Sequence, residues 1–405
     1  MNNKHTSLFK TADGHNYLWP FILVTTLFFL WGFAHSILDV LNKHFQETLH
    51  IDKTQSALVQ AVVYGGYFLM ALPAGWIIRR FGYRMGVIVG LMLYSCGALL
   101  FIPGGILQSF PFFLFSLFII GCGLTCLETA ANPYVTVLGN SEGAERRINL
   151  SQSFNGLGWI VGPLVGGYFA FSQGGGDISV PYAVIGMVVL CVALIFTRVK
   201  LPEVEAIESE TSDIKQTEKN KTIWQHKHFV WGMAALFLYV AAQTGINSFF
   251  INYVTETTPT IGNDTAAMLL GYGGMGLFMI GRMGGGWVMA RIRAERVLLF
   301  CAIGATLAMC VLLTGAGILG VAAFFVCYLC ESIMFPTIFS LSLRGMGHHT
   351  KLASSLLIMC IVGGAIAPVM MGAIADNHGM SLAFVVPLLC FVFISVYAAR
   401  LRIRA

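Results

Sequence analysis

Apolar residues run along this chain in blocks of about 20, separated by short polar turns, and that is the length an α-helix needs to cross the hydrocarbon core of a bilayer. Twelve such blocks can be marked, at 18–46, 55–79, 84–103, 110–138, 147–173, 180–198, 228–254, 265–291, 295–314, 317–343, 351–375 and 380–400. The blocks are continuously apolar rather than alternating, which predicts spanning helices and excludes a β-barrel. Between the sixth and seventh lies RVKLPEVEAIESETSDIKQTEKNKTIWQHKH, polar and highly charged, which reads as a solvated linker. The expected organisation is a six-helix bundle over 1–197, a cytoplasmic linker over 198–227 and a second six-helix bundle over 228–405.

Charge orients this arrangement. With the N-terminus inside, the inner loops collect Arg79, Arg80, Arg84, Arg146, Arg147, Arg291, Arg293, Arg296, Arg344 and Lys351, while the outer loops hold only Lys43 and Lys53. Cations favour the cytoplasmic side, so both termini are expected there. Charged residues are 11% of the chain against roughly 25% in an average soluble protein, which places it in the membrane. The net charge of +5 is explained by the inner loops and needs no nucleic acid. The run from Trp19 follows Lys4 and Lys10 without a small-residue cleavage site, so it reads as the first span and not as a signal peptide. Cys122/Cys126 and Cys327/Cys330 lie a helical turn apart, but no further Cys or His completes a ligand set; they read as packing residues, with no metal or cofactor expected.

The two halves repeat each other. GWIIRR (75–80) returns as GWVMAR (286–291), ETAANPYVTVL (128–138) as ESIMFPTIFSL (331–341), GPLVGG (162–167) as APVMMG (367–372), and FLWGFAHSILD (29–39) as FLYVAAQTGIN (237–247). The offsets of 211, 203, 205 and 208 drift only by loop length. Two parallel six-span repeats with a midplane binding site is a known transporter plan.

On these residues the chain resembles the major facilitator superfamily. Its loop after the second span has Gly75, Arg80, Gly82 and Arg84 of the family motif, with Arg79 where the family has Asp. CLETAANPYVTVLG, NLSQSFNGLG (149–158), AQTG (242–245) and FPTIFSL (335–341) are similar to the fucose/glucose–galactose permease family of sugar–proton symporters. The resemblance implies an all-α inner-membrane carrier of a neutral monosaccharide, L-fucose or another hexose such as glucose or galactose, coupled to protons through Asp39 and Glu128. Fucose permeases tend to carry Asn near His35 and Ser36 and an aromatic near Asn247, and Glu331 is not expected of them.

The residues have their own chemistry beside that resemblance. A neutral carboxyl is far cheaper than a carboxylate inside a bilayer, so an acid at Glu128 suits a carrier that binds and releases a proton, although a permanently neutral Glu bonding a neighbouring helix has the same sequence appearance. Asn132 is one turn on, and Pro133 removes the helical donor of the Thr129 carbonyl. Together they offer a carboxyl, an amide and a carbonyl to a polyol. Asp39 has His35 one turn before it; the pair can pass a proton, or Asp39 can be a solvated rim residue. Gln152, Asn155, Gln243, Asn247 and Asn252 are amides in apolar blocks, able to bind sugar hydroxyls or a neighbouring helix. Trp159 can stack on a sugar ring or pack. Glu331 repeats Glu128: a second proton site, a substrate contact, or an ion-pair partner of Arg282.

A drug–proton antiporter is the competing carrier, because GLGWIVGPLVGG (156–167) fits a pattern associated with antiporters. A non-transporting sugar receptor is the competing class, disfavoured by the short loops. The chain has no G-x-x-x-x-G-K-[ST] motif, which disfavours ATP-driven transport, and an enzyme is not expected. The expected partners are sugar, protons and lipid, with the protein a monomer.

Overall fold

A computed structural model describes residues 16–138, 144–171, 178–198, 223–289, 291–346 and 350–404; of the expected linker, 199–222 lies outside the described residues. The described chain is helical almost throughout. Its first half runs α1 (Leu18–Thr48), α2 (Lys53–Ser56), α3 (Leu58–Leu99), α4 (Phe101–Leu107), α5 (Phe110–Val137), α6 (Ala144–Phe171) and α7 (Ser179–Arg198). The second half runs α8 (Lys227–Thr257), α9 (Asn263–Met268), α10 (Gly276–Met289), α11 (Ala294–Leu313), α12 (Ile318–Glu331), α13 (Met334–Leu343), α14 (Thr350–Met359), α15 (Gly363–His378), α16 (Met380–Ala383) and α17 (Val385–Arg404).

Ten helical stretches among the described residues are long and apolar enough to cross a membrane. One of them, Lys53–Leu107, holds the expected second and third spans together. The two are joined at Gly82, whose φ of 83° and ψ of 169° lie outside the helical range, so the chain turns there without a loop. Only a residue without a Cβ adopts that backbone cheaply. The expected fifth span is α6, a helix of 28 residues whose polar N-terminal half keeps it outside those ten.

The chain divides into two compact units. One holds residues up to Leu38 with Gly65–Ile207; the other holds Asp39–Tyr64 with Glu208–Ala405. The far end of the first span and the start of the second are therefore grouped with the second half.

In the first unit, α1 and α6 meet backbone to backbone. A Cβ on Gly158 would lie 2.6 Å from the Phe33 amide nitrogen, closer than any real side chain tolerates. With lipid outside, helices associate through such close packing and hydrogen bonds rather than a hydrophobic drive. Here the bonds are Ser36 Oγ to the Gly158 carbonyl at 3.1 Å, Asn155 Nδ2 to the Phe28 carbonyl at 3.0 Å, and the Thr25–Ser151 hydroxyl pair at 2.9 Å. Arg84 closes the end of α7 by donating to the carbonyls of Phe196 and Thr197, at 3.2 and 2.5 Å, groups a helix C-terminus leaves unpaired.

In the second unit, the pair to the Glu128/Pro133 motif behaves differently from its counterpart. α5 continues through Pro133, but the helix carrying Glu331 breaks between α12 and α13. Pro336 has no N–H for the Ser332 carbonyl, and Arg282 supplies it from Nε at 3.3 Å. The Glu331 carbonyl, at the same break, accepts from the Tyr239 hydroxyl at 2.9 Å. The freed backbone is thus satisfied by side chains from α8 and α10, as a buried membrane segment requires.

Candidate functional site

In the first unit the predicted residues gather on α1, α3, α5 and α6 around one phenol, Tyr67. The Trp31 indole Nε1 donates to the Tyr67 oxygen at 2.9 Å, and His35 Nε2 lies 2.9 Å from the same oxygen. The Glu128 carboxyl lies beside the same phenol. His35 is stacked on Trp159, with ring centroids 5.9 Å apart and planes 14° from parallel. The packing of α1 on α6 sets that stack, because Gly158 and Gly162 let the helices approach to where the ring on α1 reaches the indole on α6.

His35 is buried, while Glu128, Asn132, Gln152 and Trp159 are half-buried. Gln152 Nε2 reaches Asn132 Oδ1 at 3.4 Å, so the amides of the fourth and fifth spans come together as a donor–acceptor pair. Asn155 is used differently: its amide nitrogen holds the Phe28 carbonyl, a helix tie of the kind the sequence left open. Among the described residues no lysine or arginine pairs with Glu128. Threonines flank it in the helix, Thr125 and Thr129 each donating to the carbonyl four residues back, at 2.8 and 2.7 Å. Such back-bonding uses up hydroxyls that would otherwise compete for the acid.

In the second unit Asp39 is buried and accepts a hydrogen bond from Gln60 Nε2 at 3.0 Å. Asn252 donates to Gln46 Oε1 at 2.6 Å, and its own Oδ1 has no partner. Asn247 is buried with Oδ1 unpartnered, and Gln243 is half-buried one turn before it on α8. Glu331 is 0% exposed. Cys327 Sγ lies 3.7 Å from its Oε1, its Oε2 has no partner, and Arg282 is turned to the Ser332 carbonyl instead of the carboxyl. The ion-pair reading of Glu331 and Arg282 therefore gives way to a physical alternative: Pro336 creates a carbonyl that takes the guanidinium. All ten cysteines are free thiols.

Trp31, Tyr67 and Gln60 are absent from the sequence-predicted set. Each places a single polar group in an apolar block, the same signal that singled out the other amides. Periodicity along one helix does not reveal which polar tips converge from several.

Helices of this length, a two-half repeat and acids set among amides and aromatic rings inside the spans define a membrane carrier. The chain belongs to the Major Facilitator Superfamily, whose family model matches residues 23–362. Its relatives are transporters: it is 36% identical to a glucose/galactose transporter of Brucella abortus over 405 residues, covering 98% of this chain and 96% of that one. It is also 36% identical to the L-fucose-proton symporter of Escherichia coli, covering 96% and 94%. The crystal structure of the Escherichia coli fucose:proton symporter superposes with a TM-score of 0.68 at 35% identity, covering 96% of this chain and 99% of that one. The protein is thus a multi-pass inner-membrane transporter of the fucose and glucose/galactose permease type, not an enzyme.

Proposed function

We propose that the chain carries a neutral monosaccharide inward together with protons, by alternating access of two six-span halves whose termini face the cytoplasm. The observation that carries this reading is the Glu128 environment. An intramembrane acid beside a phenol, with an amide pair and an imidazole–indole stack in the same unit, has what a neutral polyol needs: donors, acceptors and an aromatic face. It also has a group that can gain and lose a proton. Glu128, Asn132 and Gln152 bind the sugar, with Trp159 as its stacking surface. Asp39 and Glu128 couple the proton, with His35 as relay. Asn155 supports the site through α1, and Gln243, Asn247 and Asn252 contribute from α8. Glu331 is a secondary acid of the second half.

The antiporter reading loses its motif. Gly158 and Gly162 of the glycine pattern face the backbone and Ser36 of α1, so close packing of α6 accounts for them. The test is counterflow in proteoliposomes with labelled fucose, glucose, galactose, mannose, fructose and N-acetylglucosamine, alongside sugar-induced alkalinisation of the medium. At least one sugar should exchange and move protons. Exchange of none of the six, with correctly folded protein, would sink the reading.

A further inference from the structure

We propose that a file of waters between α1 and α8, held by Asn42, Ser248 and Asn252, carries protons to Asp39. Three oxygens here meet no protein group: Asn42 Oδ1, Ser248 Oγ and Asn252 Oδ1. All three residues are fully buried. A native interior rarely leaves such atoms unsatisfied, because each then keeps the whole cost of leaving water.

The three share one seam, on the end of α1 that belongs to the second unit. Asn42 and Gln46 stand one turn apart on α1, and Ser248 and Asn252 one turn apart on α8. Two rungs join the helices. Asn42 Nδ2 donates to the Ser248 carbonyl at 2.6 Å, and Asn252 Nδ2 donates to Gln46 Oε1 at 2.6 Å. Gln46 also donates from Nε2 to Ser56 Oγ at 2.8 Å, so both ends of its amide are used. Each rung thus spends an asparagine nitrogen and leaves that asparagine's oxygen over, beside one serine hydroxyl. Water supplies donors to several acceptors at once, and a buried water typically makes about three hydrogen bonds.

The spacing suits a proton file. Side chains one turn apart on a helix are about 5–6 Å apart, which one water spans with two hydrogen bonds of about 2.8 Å. The seam runs from half-buried Gln46 to Asn42, and Asp39 lies three residues further along the same face of α1. Asp39 is buried, and Gln60 Nε2 occupies its Oδ1 at 3.0 Å, which leaves Oδ2 for the proton. At the far end stand two ion pairs, Lys43 with Glu47 at 3.2 Å and Lys53 with Glu256 at 2.8 Å. In the proposed orientation that end faces outside. A hydronium there gives a proton to the first water. Each water passes one hydrogen on and keeps two, and the last gives one to the Asp39 carboxylate. One proton has entered, one carboxylate has been neutralised, and every water is restored. The amides hold the waters without exchanging, and their oxygens turn the negative ends of their dipoles to the file, which favours a positive charge in it.

This deepens the proton-coupled reading and rests on it for the role of Asp39. Within that reading, the contribution of Asn252 from α8 is to the route of the proton. Asn42, Ser248 and Asn252 are positioning residues.

The first measurement needs neither sugar nor a gradient, so it fails separately from the transport reading. The full chain in lipid nanodiscs is given an X-ray pulse, which makes hydroxyl radicals from internal water and oxidises the side chains beside it. Phe249 adjoins Ser248 on α8 and is fully buried; Phe391, equally buried on α17, is the dry reference. Mass spectrometry should show Phe249 oxidised severalfold faster than Phe391. Ser248→Val, which puts methyl groups in place of the hydroxyl, should bring the two rates together, and Asn252→Leu serves where that variant does not fold. The second measurement is sugar-induced alkalinisation in proteoliposomes. Ser248→Ala breaks no bond between protein groups, yet it should slow proton movement by about tenfold and raise its solvent deuterium isotope effect. Sugar counterflow, which needs no net proton transfer, should fall less. In a dry seam the same substitution only removes an unsatisfied group, so it would raise the melting temperature and leave proton movement alone. Equal oxidation of Phe249 and Phe391 overturns the proposal, as does wild-type proton movement in Ser248→Ala. Uptake driven by a sodium gradient without protons also overturns it, by making these oxygens a metal-cation site. Where no sugar exchanges, the oxidation rates alone decide.

Discussion

Thr54 gives Asp376 two hydrogen bonds, from its backbone amide at 2.9 Å and from its hydroxyl at 2.6 Å, and the neighbouring Lys53 amide adds a third at 3.1 Å. The same stretch is held by Lys53 Nζ on Glu256 at 2.8 Å, and Asn263 Nδ2 reaches both Glu47 oxygens at 2.8 Å. These bonds tie residues 42–56 to α8, α9 and α15. At an exposed site each is worth about 1 kcal/mol. Asp376→Ala should therefore raise the modification rate of a cysteine placed at Ser56, which is fully buried, by about tenfold. Mass spectrometry of that residue after maleimide treatment reads the rate; an unchanged rate would mean that Asp376 holds nothing closed.

Asp39 and Glu128 are expected to separate in function. Asparagine and glutamine mimic the protonated acids and cannot release a proton. Asp39→Asn should keep sugar counterflow and lose uphill uptake, because the loaded form reorients while the empty form cannot return. Glu128→Gln should lose uptake and also weaken sugar binding or flatten its pH dependence, since Glu128 lies on the same helix as Asn132, one of the amides proposed to bind the sugar. Glu331→Gln should reduce transport less than Glu128→Gln at equal expression. Full concentrative uptake by Asp39→Asn, with normal proton movement, would make Asp39 a rim residue.

The break beside Glu331 predicts a coupled pair. Arg282→Ala leaves the Ser332 carbonyl without its donor and should cost about 1–3 kcal/mol. Pro336→Ala restores the helical N–H, so the loss on removing Arg282 should shrink in that background. A double-mutant cycle on thermal melting of the purified protein should show an interaction of about 1 kcal/mol. Additive effects would contradict the assignment of Arg282 to that carbonyl.

Orientation is testable on the linker. Its cations match the inner side, so a cysteine at position 210 should resist an impermeant maleimide in intact cells and react after lysis. Labelling in intact cells would reverse the assignment.

Much of this architecture is legible without coordinates, because bilayer thickness imposes one length on every span and the repeat imposes one pattern on both halves. Asp39, Glu128 and Asn132 are conspicuous as single polar residues in apolar runs. What the chain alone conceals is convergence. Tyr67 stands 32 residues from His35 in the sequence, and only the packing of α3 on α1 puts its oxygen within reach of both Trp31 and His35. Asn155 has the same appearance as Gln152, yet one ties helices and the other faces an amide, a difference of one helical turn on α6. The Gly82 turn is half legible: Arg79, Arg80 and Arg84 mark the gap between two spans, but a count of apolar residues does not show that the two helices join there without a loop.

The neutral surroundings of Glu128 bear on which cargo can enter by its charge. Phenol and amides, with no lysine or arginine paired to the acid among the described residues, offer nothing to balance a second negative group. Like charges brought together out of water cost several kcal/mol. With Glu128 in its proposed role, a sugar acid such as glucuronate should be turned away whenever Glu128 is ionised, while an amino sugar should be drawn to that same form and obstruct its reprotonation. Glucosamine should accordingly slow uptake of a neutral sugar under conditions where glucuronate leaves it untouched. If Glu128 takes the proton as proposed, the same carboxyl works as an ionic sieve, selecting for cargo that brings no charge of its own.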